Sequence, residues 1–141
     1  MGNSKIILEL NEAQAKIIAS SCEFLARIHL GQLDELNVHL FHLHNSKVEE
    51  KSQLWEMLNT RLRDAERVIS ALYGMSGGHP GIHSEKVPDT ARAAFDIYRV
   101  LRHQIWQLRD GERCHACNDA QTPTQFSTEH SLPVCCVREE V

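Results

Sequence analysis

The feature that most constrains the fold of this chain is an apolar repeat between Lys47 and Leu72. Apolar residues recur there in alternating steps of three and four: Trp55, Leu58, Leu62, Ala65, Ile69 and Leu72. Such steps place the side chains on one face of a helix, as a heptad-like seam that packs along another helix. Ser46 and Glu49 precede the seam at capping-box spacing. The pattern therefore predicts a long amphipathic helix over 47–72.

A second helix is predicted near the N-terminus. Asn11 is a good N-cap, and Gln14 stands three residues later in the capping-box position. The helix runs to about Leu30, and Gly31 is expected to end it in the left-handed conformation. Its buried face follows from apolar residues at helical spacing: Ala15, Ile18, Cys22, Leu25 and Ile28.

A glycine-dense loop after the 47–72 segment leads into a third predicted helix. The loop contains Gly74, Gly77, Gly78, Pro80 and Gly81. Pro88 with Asp89 or Thr90 starts the helix, and Gly111 closes it. Its expected buried stripe is Ala91, Ala94, Phe95, Tyr98, Leu101, Ile105 and Leu108.

Two short β-prone segments flank the helices. Lys5–Leu10 and Ser131–Val137 are each predicted to form a strand, and the two strands could pair. Residues 32–45 are expected to hold a short helical turn followed by an irregular or strand-like piece. We therefore predict a single α+β domain over 1–141: long helices packed with a small antiparallel sheet near the termini. Residues 112–141 form an irregular tail around the second strand.

The composition of the chain argues against several classes of protein. The 141 residues carry a formal net charge of −4, which argues against a protein that coats nucleic acid through a basic field. No apolar run approaches the roughly 20 residues that span a bilayer. The first ten residues lack the apolar core of a signal peptide. Five cysteines, an odd number, disfavour a disulfide framework. These features predict a cytoplasmic protein.

Two groups of metal-ligand residue types are present. Cys114 and Cys117 form a C-x-x-C, and Cys135 and Cys136 follow downstream, so that four thiolates could hold a tetrahedral zinc ion. Adjacent cysteines seldom ligate one metal, however, and no second C-x-x-C is present. A second group comprises His39, His42 and His44, for which no further ligand is specified by position. We therefore expect no metal and no cofactor, and a fold that does not depend on zinc.

The stretch from Gly74 to Trp106 is the strongest candidate for a binding site. On a helix, Arg92, Arg99 and His103 share roughly one stripe, with Arg102 beside it. Arginine forks could grip phosphates while the glycine loop lets backbone N–H groups approach them. The alternative is simple surface ion pairing of Arg92 and Arg99 with Asp96. Catalytic motifs such as G-x-S-x-G, H-E-x-x-H and the P-loop lysine are lacking, so no enzyme is predicted.

Several stretches resemble a family of small phage-encoded proteins. They are L-E-L-N-E-A-Q-A-K-I-I-A, F-L-A-R-I-H-L-G-Q-L, G-I-H-S-E-K-V-P-D-T-A-R-A-A-F-D-I-Y-R-V-L-R-H and F-S-T-E-H-S-L-P-V, and together they cover most of the chain. Within that set the chain is similar to the first anti-Thoeris family, whose members are sponges that sequester a cyclic ADP-ribose signal or cyclic oligonucleotides. The Cys114/Cys117 pair departs from that family.

The resemblance implies a small sheet with long helices, assembly into a homodimer or larger oligomer, and sequestration of a cyclic nucleotide without cleavage. From the charge and the hydropathy pattern we expect no long nucleic acid and no membrane as partner. The alternative is a structural or regulatory phage protein that acts through protein contacts. In this alternative, zinc could stiffen the C-terminal tail. The candidate ligand-binding residues are Arg27, Gly81, Ile82, His83, Ser84, Arg92, Phe95, Arg99, Arg102 and His103.

Overall fold

A computed structural model describes residues 6–34, 36, 49–75, 78–110 and 121–136, excluding the side chains of 49–52, 109 and 110. It contains three helices in this part of the chain: α1 over Glu12–Leu30, α2 over Glu49–Leu72 and α3 over Asp89–Asp110. All three were predicted from the sequence with nearly these bounds. The Ser46 cap of α2 and the Gly111 stop of α3 lie outside the described residues.

The predicted caps of α1 are confirmed. The Asn11 side chain accepts a hydrogen bond from the Gln14 backbone N–H at 2.9 Å, and the Gln14 side chain accepts one from the Asn11 N–H at 3.0 Å. Together these bonds satisfy two backbone donors at this end of the helix. Gly31 ends α1 with φ +72° and donates its N–H to Ile28 O. Local sequence therefore fixes both ends of α1.

The core lies mainly between α1 and α3. Leu30 in the last turn of α1 packs with Ala91 in the first turn of α3, so the two helices run antiparallel. The contact is built largely from small residues, which allow the helix axes to approach closely. Its buried apolar members are Ala19, Ala26, Leu30, Val87, Ala91, Ala94 and Val100.

The last third of α2 is attached to the end of α1. The Glu66 carboxylate accepts the backbone N–H groups of Leu33 and Asp34, at 2.7 and 3.0 Å. The Tyr73 hydroxyl donates to the His29 carbonyl at 2.6 Å. These bonds cap the turn that follows α1 and connect the C-terminal end of α2 to it. The single helical turn expected after Gly31 is present, with Leu36 N–H bonded to Leu33 O.

The predicted seam of α2 is half-buried from Trp55 to Ile69, but Leu72 is 81% exposed. A second stripe on the same helix is exposed, and it includes Leu54, Met57 and Val68. The apolar repeat therefore predicted the helix correctly, but it did not indicate a role for this second apolar stripe.

The predicted sheet is wrong. The structure is helical, and no strand occurs among the residues it describes, including 6–10 and 131–136. Ile6, Ile7 and Val134 are 94%, 85% and 97% exposed, so neither segment buries the apolar face that would stabilise a strand pair. The tail instead directs its backbone donors to carboxylates of α3, as described below. The fold is corrected from α+β to helical.

No helix in the described ranges is long and apolar enough to cross a membrane. His39, His42, His44, Cys114 and Cys117 lie outside the described residues, so the predictions about them stay predictions.

Candidate functional site

Arg92 organises the loop that precedes α3. Its Nε donates to the Ile82 carbonyl at 3.1 Å, and its Nη2 donates to the Ser84 carbonyl at 2.6 Å. Its Nη1 lies 3.7 Å from the Asp89 carboxylate, and only 12% of the side chain is exposed. The loop itself turns through hydrogen bonds from Ser84 N–H to Gly81 O and from Val87 N–H to Ser84 O. Arg92 therefore holds the predicted loop residues in place with donors that a ligand would otherwise use.

An aromatic cluster joins the loop, α3 and the tail. Phe126 lies at its centre, 4.9 Å from the His83 ring and 5.3 Å from the Phe95 ring, the latter edge to face. Phe95 also contacts Tyr98, with ring centroids 5.7 Å apart. The structure thus places His83 and Phe95, two of the predicted ligand-binding residues, in one cluster. It does so through Phe126, which no sequence pattern indicated.

Asp96 is a buried anchor for the tail. It is 2% exposed, and its two oxygens accept the backbone N–H groups of Phe126 and Ser127, each at 2.9 Å. A buried carboxylate is costly unless hydrogen-bonded, and these two donors meet that need. The sequence suggested ion pairs of Asp96 with Arg92 or Arg99; the contacts show the tail backbone as its partner instead.

Asp89 is the second anchor, at the start of α3. It accepts the Ser127 hydroxyl at 2.5 Å, the Thr128 N–H at 2.7 Å and hydroxyl at 3.1 Å, and the Glu129 N–H at 3.2 Å. The Ser127 hydroxyl, followed by the Thr128 N–H, lowers the pKa of Asp89 to about 2. Hydrogen bonds to the ionised form have this effect on a carboxyl group.

Asp89, Glu129 and His130 offer ligand atoms within 4.8 Å of one another, the spacing of a metal site. Each Asp89 oxygen already accepts two hydrogen bonds from the tail, so its lone pairs are occupied. A cation would have to displace bonds that hold the tail, and Glu129 and His130 are exposed. In the structure the arrangement serves as a docking joint for the tail.

The remaining cationic candidates on α3 lie in its C-terminal half. Arg99 is half-buried, and it forms no hydrogen bond or ion pair within the described ranges. His103 lies one turn further on, stacks on Trp106 at 5.8 Å and bonds to Gln107 at 3.1 Å. Arg102 is exposed beside them. Arg99, Arg102 and His103, which we call the α3 cation stripe, are neighbours at helical spacing.

Arg27 lies near the end of α1 and is directed along its own helix. Its Nε and Nη2 donate to Glu23 at 3.0 and 2.8 Å, and its Nη1 donates to Gln32 at 3.2 Å. These bonds make Arg27 a local anchor of the α1 terminus.

The cysteines described by the structure are free thiols. Burial, followed by the neighbouring Cys136, raises the pKa of the Cys135 thiol.

Comparisons with known proteins show no family for the chain. No family model matches it, and no solved structure gives a significant match. One curated protein is 32% identical over 56 residues: the ubiquitin-like modifier-activating enzyme ATG7 of Candida albicans. The match covers 40% of this chain and 9% of that protein, so this chain spans only a small part of its relative.

Proposed function

We propose that the protein is a non-enzymatic binding protein of the host cytoplasm, an oligomeric sponge that sequesters a cyclic nucleotide signal without cleaving it. The resemblance to the anti-Thoeris family suggests the ligand class, cyclic ADP-ribose or a cyclic oligonucleotide. The single observation that carries the proposal is the half-buried position of Arg99, which has no hydrogen-bond or ion-pair partner among the described residues.

Arg99 is a half-buried guanidinium without a hydrogen bond or ion pair to any other described residue. A charge in such a position loses hydration without gaining a partner, so an anion on it would be stabilising. The guanidinium fork matches phosphate geometry in two simultaneous hydrogen bonds. On the next turn Arg102 adds positive charge and His103 adds a ring N–H, and the ring of Trp106 offers an aromatic face nearby.

The proposed ligand site lies away from the glycine loop. Arg92, His83 and Ser84 are engaged in loop and tail contacts, so their part is to position the start of α3. The phosphate would then lie over the α3 cation stripe, towards the C-terminal half of the helix.

The test is calorimetric titration of the purified protein with cyclic ADP-ribose and a panel of cyclic dinucleotides. A charged hydrogen bond contributes about 1.5–3 kcal/mol, so Arg99→Ala should weaken binding roughly 10- to 150-fold. Arg63→Ala, which removes an exposed arginine of α2, is the matched control and should bind like the unmodified protein. Equal binding by Arg99→Ala and the control would contradict a site at Arg99, and no binding to the whole panel would contradict sequestration.

A second candidate function is favoured by the exposed apolar stripe of α2, which suits a protein that acts through protein contacts alone. Native mass spectrometry of freshly purified protein separates the two functions. A bound nucleotide supports the sponge, whereas assemblies that contain only protein favour the second candidate.

A further inference from the structure

The exposed stripe of α2 is organised as a heptad of its own. Taking Leu54 as the first position places Leu54, Arg61 and Val68 at a, and Met57, Asp64 and Ala71 at d. We call these six residues the α2 outer stripe. It is separate from the half-buried seam that carries Trp55, Leu58, Leu62, Ala65 and Ile69.

The outer stripe is uncovered by the described part of the chain. Leu54, Met57 and Val68 are 55%, 59% and 61% exposed, and Leu72 beside the stripe is 81% exposed. A shallow groove of about 340 Å³ lies along it, lined by Leu54, Met57, Leu58 and Arg61. Several large apolar side chains in one line on a helix indicate a docking surface.

The charges at the centre of the stripe indicate which partner surface is complementary to it. Arg61 and Asp64 are both exposed, and the bond from Arg67 to Asp64 is a surface contact of 3.2 Å. If a second α2 runs antiparallel about a two-fold axis between these positions, Arg61 faces the partner's Asp64 and Asp64 faces the partner's Arg61. The same register places Met57 against the partner's Val68 and Leu54 against the partner's Ala71.

A parallel pair would have the opposite effect. Arg61 would face the partner's Arg61, and Asp64 would face the partner's Asp64. Like charges in direct opposition disfavour association, and such repulsion is how helix pairs reject a wrong orientation. A two-fold axis also makes the surface self-complementary, as a homodimer interface must be.

We propose that the α2 outer stripe is a homodimer interface in which two α2 helices pack antiparallel, with Arg61 of each protomer opposite Asp64 of the other. This interface extends the oligomeric part of the proposed function and rests on that part. It does not depend on nucleotide binding, because no residue of the stripe belongs to the proposed nucleotide site.

Charge exchange tests both the interface and its direction. The variants R61D and D64R each place like charges at the two central layers, so each should dimerise at least about ten-fold more weakly in sedimentation equilibrium. Mixing the two variants restores opposite charges in both layers of a heterodimer. The mixture should therefore assemble as tightly as the unmodified protein. In a parallel pair, by contrast, the unmodified protein itself has like charges in both layers, so neither single variant would weaken it and the mixture would assemble more tightly than the unmodified protein.

R63D is the matched control, since it makes the same charge change on an exposed position outside the stripe. It should dimerise like the unmodified protein. The interface is overturned if the unmodified protein is monomeric at 100 µM (on the order of the weak end of specific association), if R61D dimerises normally, or if the mixture stays monomeric.

Nucleotide titration of the same samples separates the two proposals. Binding by a protein that does not dimerise overturns the interface and leaves sequestration standing. Charge-dependent dimerisation without nucleotide binding supports the interface and overturns sequestration.

Discussion

At the scale of single residues, charged side chains on α3 differ in role according to which groups hydrogen-bond to them. Arg92 and Arg99 lie seven positions apart and look alike in sequence. Backbone carbonyls of the loop occupy Arg92, whereas Arg99 has no partner among the described residues. Asp96 could serve as an ion-pair partner for either arginine, but two tail amides bind it instead. Residue type alone therefore did not assign their roles.

Gly31 is a residue whose identity the backbone requires. Its φ is +72°, and a Cβ there would lie 3.1 Å from the Ile69 Cγ2 of α2. We expect Gly31→Ala to lower the free energy of unfolding by about 1–2 kcal/mol, because the left-handed conformation strains a residue with a Cβ. Thermal unfolding followed by circular dichroism measures the loss.

Gly81→Ala is the control for that substitution, since nothing lies within 4 Å of the added Cβ and its φ is not positive. Its melting temperature should stay close to that of the unmodified protein. Equal losses in the two variants would show that the end of α1 does not depend on this conformation.

At the scale of elements, the tail is held to α3 by two carboxylates and one ring. Asp89 and Asp96 lie seven residues apart and so project from the same side of the helix. They accept five hydrogen bonds from backbone or hydroxyl donors of 127–129 and one from the Phe126 N–H. The Phe126 ring packs against Phe95 of α3 and His83 of the loop. The tail is thus ordered without any strand pairing.

This joint should open in acid. The pKa of Asp89 is lowered from 3.8 to about 2 in the folded protein, so the ionised form is favoured by folding. Its contribution is complete above the unfolded pKa and is lost as the pH falls towards the folded one. We expect the amide resonances of Thr128 and Glu129 to shift between about pH 4 and pH 2.

Asp89→Asn removes the titrating group and provides the comparison. In that variant the two amides should show no transition assignable to residue 89 over the same range. A transition that survives in Asp89→Asn would mean that another group, rather than Asp89, controls the joint.

At the scale of the whole molecule, apolar surface remains on the outside of every described helix. Ile17 and Leu25 on α1, Leu54 and Met57 on α2 and Leu108 on α3 are all between 45% and 67% exposed. The core, by contrast, contains several alanines, which bury little area each. Further burial between copies would therefore add stability that one chain does not supply, which agrees with the proposed assembly.

The fold is expected to be independent of zinc. A structural zinc site contributes folding free energy outright, so a chelator unfolds a protein that needs one. We expect EDTA to leave the melting temperature unchanged in differential scanning calorimetry. A loss of several degrees, reversed by added zinc, would show that the cysteines form a metal site.

Local sequence by itself determined the helices of this protein. The Asn11 and Gln14 cap, the stop at Gly31 and the apolar periods of α2 and α3 act within a few residues, so their outcome is readable from the chain. The predicted strands failed because a strand depends on a distant partner, and local β-propensity says nothing about whether that partner is available. Ile6, Ile7 and Val134 remained exposed as a result.

Tertiary structure decided the site. His83 and Phe95 were predicted from the sequence, yet Phe126, which lies 43 and 31 positions further along the chain, joins them, and Asp96 binds its backbone N–H. The run F-S-T-E-H contained the signal, since hydroxyl and free amide groups there can cap a carboxylate, but only the packed structure shows which carboxylate they meet. Which arginine the loop binds was decided in the same way, because the loop carbonyls of Ile82 and Ser84 accept hydrogen bonds from Arg92.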